Sequence, residues 1–361
     1  MVENALLREL AAWRSGGDRT RREGLALARL VTVEIRRSGR HALPPAVLTA
    51  LDAIAERHRG RDPFLDAFLD AVLARHRDRF RNAGYLALPL LDAIRHEDGL
   101  GAERLSALLL ADVVRHENRH PRGTTPELRR KRLRHAARFV ATIDRSPADG
   151  TVPPATLAGE WLALTALPVS TEHDEYFFIR ALQAHELVFT TLTGLVRTAT
   201  DAVRAGRPDD AVALLGRATR VLERAGLLFR LVATMRADAF HSFRRYTEGA
   251  SAIQSEAYKR FELACGEPAR DRLDGEAFAG VTAVRAAAGR DDSLARALAA
   301  APRPTALDDA VAALEAAHQR WKTAHLGLAT RMLGDAPGSG DTAGVPYLAA
   351  CRAHRLVVLA R

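Results

Sequence analysis

The chain is predicted to be all-α, and two observations predict it. Apolar residues recur three and four apart through most of the 361 positions, and alternating β-branched runs are few while Ala, Leu, Arg and Glu abound. Within the first 145 residues, helices are expected over 4–14, 20–37, 45–57, 63–79, 84–94, 102–117 and 126–143, punctuated by Gly, Pro and Asp. The stretch 146–154 concentrates turn formers and ends in Pro153 and Pro154, so neither a helix nor a central strand runs through it. A boundary there divides the chain into an N-terminal helical domain, 1–150, and a second domain, 151–361. Long helical patterns over 173–204, 209–235, 251–264 and 307–333 give the second domain four candidates for a bundle, followed by a glycine-rich loop and a short final helix.

Composition narrows the function classes. With 47% apolar and 27% charged residues the chain is an ordinary globular protein and not a disordered one. No run approaches the ~18 to 20 uncharged apolar residues of a membrane span. The N-terminus lacks a basic segment followed by an apolar one, so a cytoplasmic location is expected. Cys265 and Cys351 form no CxxC pair, which excludes a disulfide framework and a finger-type zinc site. The basic excess is N-terminal: 28 Lys and Arg against 20 Asp and Glu in residues 1–150, but 25 against 24 afterwards. Lysine occurs only at positions 131, 259 and 322, so arginine supplies the charge.

Two motifs in the first domain invite chemistry. His116, Glu117 and His120 match HExxH, which can place two imidazoles on zinc beside a water-polarising glutamate. Pro121 and Gly123 end the helix where such an enzyme continues it, and Arg119 brings positive charge near the metal, so a polar helix terminus is the favoured reading. The run Arg129, Arg130, Lys131, Arg132, Arg134 can neutralise phosphates but carries no interleaved aromatics. A solvated helix face is favoured over nucleic-acid binding.

The second domain is more specific. Residues 172–189 form an acidic helix start followed by aromatics and then polar groups at helical spacing. Residues 240–255 place Arg244 and Arg245 before a small-residue turn. Residues 321–348 contain Trp321, His325, Arg331 and Gly334, then a glycine-rich segment over 337–344, then Tyr347 and Leu348. In this order, and with Trp161 ahead of them, the blocks resemble the tryptophan 2,3-dioxygenase superfamily of haem enzymes across residues 158–361.

The resemblance implies a haem-binding helical bundle preceded by an extra N-terminal domain. It puts His325 on the proximal ligand of haem b (iron protoporphyrin IX), a task suited to a neutral imidazole, with Trp321 in register. It puts Arg244 on the arginine that holds the substrate carboxylate through a planar fork, and Ser339 on a hydroxyl that meets the ammonium group. Gly338 and Gly340 imply close backbone approach to substrate and haem edge. Phe178, Phe240 and Trp161 fall on aromatics around the pocket. Leu182 stands where the dioxygenases carry a distal histidine, and His185, three residues on, is the candidate to replace it.

The expected function is therefore a haem-dependent oxygenase that uses O₂ to oxidise L-tryptophan or a related aromatic amino acid, acting as a homo-oligomer, tetramer or dimer. Losing the distal acceptor leaves a buried indole N–H without a partner, which opens an alternative: a haem-dependent aromatic monooxygenase, a hydroxylase of natural-product biosynthesis. A non-catalytic basic helical protein that binds nucleic acid, and a zinc hydrolase built on His116, Glu117 and His120, are the readings from other classes.

Overall fold

A computed structural model describes residues 2–14, 17–143, 156–247, 255–289, 292–334, 336–338 and 343–358. Among these residues the regular structure is helical and no strand occurs. The boundary stretch 146–154 lies outside them, as do Ser339 and Gly340. No helix among the described residues is long and apolar enough to cross a membrane.

The first half holds α1 (Val2–Arg14), α2 (Arg21–Ser38), α3 (Pro45–His58), α4 (Pro63–Leu73), α5 (Asn82–Tyr85), α6 (Leu88–Glu97), α7 (Ala102–Arg119) and α8 (Pro126–Ala141). Their starts follow from sequence. Thr20 and Glu23 close a capping box on α2, Asp62 and Thr125 cap α4 and α8, and proline occupies the first turn of α3, α4 and α8.

Two expected helices are shorter or broken. The helix starting at Pro63 ends at Leu73 instead of 79. The chain turns there with Asp78 at φ 51°, which brings Arg77 onto Asp52, Asp70 and Glu56 and sends Phe80 into the core. The helix expected over 84–94 is split by Ala87 at φ 47°. Pro89, in the first turn of α6, has no N–H to continue the ladder from α5. The carbonyl freed at Leu86 is taken by the Gln183 amide at 2.8 Å.

The second half holds α9 (Leu157–Leu162), α10 (His173–Arg204), α11 (Pro208–Val232), α12 (Ala237–Arg244), α13 (Glu256–Cys265), α14 (Arg270–Asp274), α15 (Glu276–Ala279), α16 (Thr282–Ala287), α17 (Leu294–Ala300), α18 (Thr305–Leu333) and α19 (Val345–Cys351). The axis is α10, roughly 48 Å long at ~1.5 Å per residue. It packs against α7, α11, α13 and α17, while α18 lies on α11.

One hydrophobic cluster runs from Leu6 and Trp13 in α1 to Leu314 in α18 and Leu356. Polar joints cross it. Arg132, from the basic run, is not on a solvated face: it is 0% exposed, gives 2.6 and 2.8 Å contacts to Glu117 and Asp174, and lies over the Phe177 ring. Arg180 of α10 likewise meets Asp112 of α7 at 2.6 Å. A buried pair of this kind holds register, since removing either partner strands a charge.

Candidate active site

One face of α10 supplies the first wall of an interior cavity. Phe178, Leu182, His185, Glu186 and Phe189 recur at the three- and four-residue spacing that sets side chains in one stripe. Phe229 of α11, Arg244 of α12, Tyr258 and Lys259 of α13, and Trp321 and His325 of α18 close it. Counting its open mouth, the cavity holds about 1720 Å³ of space between atoms.

The aromatic lining falls into two groups. Around His325 the Phe229 ring is stacked at 5.3 Å and the Trp321 ring lies at 5.7 Å. Burial pushes the His325 imidazole down to about 4, so it is neutral at pH 7, and no group among the described residues hydrogen-bonds it. A neutral imidazole facing a cavity is the donor that haem iron takes. The second group is Phe178 with Phe240 at 5.8 Å and Phe243 at 5.4 Å, and Leu182 packs beside Phe178.

His185 belongs to the first group. Its ring lies 5.0 Å from Phe229 and 6.3 Å from Trp321. Nδ1 donates to the Ala181 carbonyl at 3.0 Å, which leaves Nε2 an acceptor, buried and without a partner among the described residues. Burial lowers His185 to about 3, so it too is uncharged.

Arg244 lines the cavity and donates through Nη2 to the carbonyl of Pro337, tying α12 to the glycine segment. Gly338 also lines the cavity. Gly344 pins the segment's other end: its φ is 67°, and a Cβ there would stand 2.9 Å from the amide nitrogen of Gly338. Trp161, expected among the aromatics around the pocket, lies elsewhere. It is fully buried, stacks on Phe64 at 5.7 Å and does not line the cavity, because α9 carries it into the core between the two halves.

The structure adds residues that sequence reasoning missed. Asn82, Tyr85 and Leu86 reach the cavity from the first half. Tyr85 donates to Glu175 at 3.2 Å, and Asn82 donates to Glu186 at 3.3 Å. At the α13 end stand three buried cations, Lys259, Arg272 and Lys322. Lys259 and Arg272 share one carboxylate, Glu262, at 3.2 and 2.6 Å. Lys322 donates to the Cys351 carbonyl at 3.0 Å. Lysine rarity was the one available signal, since two of the three lysines stand here.

The HExxH residues do other work. Glu117 is fully buried under Arg132 and accepts from His173 at 3.1 Å, while His116 stacks on Tyr176 at 3.8 Å. No group of three or more His, Cys, Asp or Glu side chains among the described residues is placed to hold a metal ion.

Fold and cavity together define a class: an all-α protein that encloses an aromatic chamber and turns a neutral imidazole into it. A sequence model of the family described as tryptophan 2,3-dioxygenase matches residues 163–280. Tryptophan 2,3-dioxygenase of Anaeromyxobacter dehalogenans is 30% identical over 234 residues, covering 53% of this chain and 88% of that protein. The protein of the same description from Burkholderia multivorans is 27% identical over 237 residues, covering 53% and 76%. The chain belongs to the tryptophan 2,3-dioxygenase family and is an oxygenase enzyme.

Proposed function

We propose that the chain is a haem-dependent oxygenase that uses O₂ to oxidise the indole ring of L-tryptophan or a closely related aromatic amino acid. The observation that carries this is His325, a half-buried neutral imidazole without a hydrogen-bond partner among the described residues, facing a cavity walled by aromatic rings. The donor set fits haem b. His325 would hold the iron, the rings of Phe229 and Trp321 suit a flat apolar macrocycle, and Lys259, Arg272 and Lys322 supply counter-charge for carboxylates. Gly338 allows the chain to lie close to whatever fills the cavity.

When bound, the haem supplies the activation of O₂ and the redox chemistry. The chain's own residues bind and orient. Phe178, Phe240 and Leu182 form an apolar seat for the aromatic ring, and Arg244 holds the carboxylate end. Ser339, outside the described residues, is assigned the ammonium end. Tyr85 and Leu86 complete the wall from the first half, so the 1–150 unit takes part in the site. A cytoplasmic homo-oligomer remains the proposed working form.

Leu182 favours a second outcome of the reaction. It places no acceptor where an indole N–H would need one, which suits insertion of one oxygen atom as well as two.

Reconstitution with hemin tests the reading. The wild type should give a Soret band, and His325→Ala should lose about tenfold or more in haem affinity with a changed spectrum. A His325→Ala protein that keeps its pigment unaltered overturns the assignment. Anaerobic titration with aromatic amino acids, then mass analysis after O₂ is admitted, identifies the substrate and counts the oxygens inserted.

A further inference from the structure

The cavity lining is unbalanced in charge. Four cations face it, Arg244, Lys259, Arg272 and Lys322, and among the described residues Glu186 is the single acidic side chain that does. Glu186 is 8% exposed and forms no salt bridge with the described residues. Its partners are neutral: the Ser255 hydroxyl, the Ala257 backbone N–H and the Asn82 amide, the last at 3.3 Å onto Oε1. A carboxylate buried without a counter-ion is costly, and burial pushes Glu186 up to about 7. That cost is offset when a cation enters the cavity beside it.

The neighbouring groups say which cation. Glu186 follows Leu182 by four residues on one face of α10, so it stands one turn beyond the apolar seat. Arg244, to which the carboxylate end is assigned, lines the same cavity as Glu186. One anionic and one cationic group on a cavity lined by aromatic rings match the ammonium and carboxylate of one α-amino acid.

We propose that Glu186 receives the ammonium group of the substrate and makes the enzyme select amino acids over their des-amino analogues. The inference rests on the aromatic amino-acid reading above and adds to the Ser339 hydroxyl a full counter-charge. The two contacts are compatible, since an ammonium has three donors.

The test uses the full chain loaded with hemin and reads the Soret shift on titration with L-tryptophan, indole-3-propionate, tryptamine and 3-ethylindole. The wild type should bind L-tryptophan about tenfold more tightly than indole-3-propionate, the scale of one charge-assisted hydrogen bond. Glu186→Gln keeps one of the two acceptor oxygens and loses the charge. It should reduce that ratio to within about twofold while leaving indole-3-propionate affinity unchanged, and Glu186→Asp should restore part of the ratio. An unchanged ratio in Glu186→Gln overturns the proposal and leaves the amino-acid reading standing. Absence of any shift with all four compounds removes both. Should Glu186→Gln fail to fold, the wild type alone decides: no preference for tryptamine over 3-ethylindole overturns the proposal.

Discussion

At the scale of single residues, the site sets a few polar atoms that lack partners among the described residues beside aromatic rings. Among the described residues His325 has no hydrogen bond, His185 keeps a bare Nε2, and the Trp321 indole nitrogen is buried and unpaired. Native interiors rarely leave such groups orphaned, and those that face the cavity are where the polar atoms of a ligand would be met. Leu182 is the opposite case, an apolar side chain where the family places an acceptor. Leu182→His should therefore raise affinity for L-tryptophan by about two- to tenfold, the worth of one net hydrogen bond, and leave 1-methyltryptophan unaffected. Spectral titration of the two ligands checks it, and equal gains for both would mean that the imidazole does not reach the indole nitrogen. Residue by residue, His325, Arg244 and Phe178 were legible because each sits in a block with its own pattern. Lys259 and Arg272 were not, since only the folded chain brings them to Glu262.

At the scale of elements, long helices were legible and their interruptions were not. The pattern over 173–204 coincides with α10, because a stripe that wide can bury itself only as a helix. The break at Ala87 escaped notice because alanine favours helix, and the signal against it was Pro89 two residues on. That break puts Tyr85 and Leu86 into the cavity. A second unforeseen joint lies at Gly39, where Arg40 N–H donates to the Pro168 carbonyl at 2.9 Å and His41 N–H to the Val169 carbonyl at 3.3 Å. Gly39 has φ 83°, and a Cβ there would stand 2.6 Å from the Val169 oxygen. Gly39→Ala adds left-handed strain to a backbone clash, so it should cost about 3 kcal/mol and weaken the joint between the two halves. Urea unfolding measures the cost, and a midpoint equal to wild type would show that the 39–41 and 168–170 segments separate without penalty.

At the scale of the whole molecule, buried titratable groups set how stability varies with pH. In the haem-free protein, burial holds His116, His185 and His318 down to about 3 and His325 to about 4. Unfolded histidines titrate near ~6.5. Below that pH the unfolded chain takes up protons that the folded chain refuses, so stability falls as the solution is acidified. Glu175 and Glu186 act with the opposite sign. Burial raises both to about 7, so their contribution is complete below the unfolded value of roughly 4.3 and is lost as pH rises through 7. The four histidines outweigh the two carboxyls. Between pH ~4.5 and ~6.5 the balance is about two protons, a gain of roughly 2 to 3 kcal/mol per pH unit on raising the pH. Near pH ~7 the shrinking histidine difference falls to that of the carboxyls, and above it stability should turn downward. Urea midpoints on the haem-free chain should therefore pass through a maximum near pH ~7, and Glu186→Gln should remove about half of the decline on the alkaline side. A midpoint that climbs steadily through pH ~8 would mean that Glu175 and Glu186 are already ionised in the fold, with counter-charges close enough to keep them so.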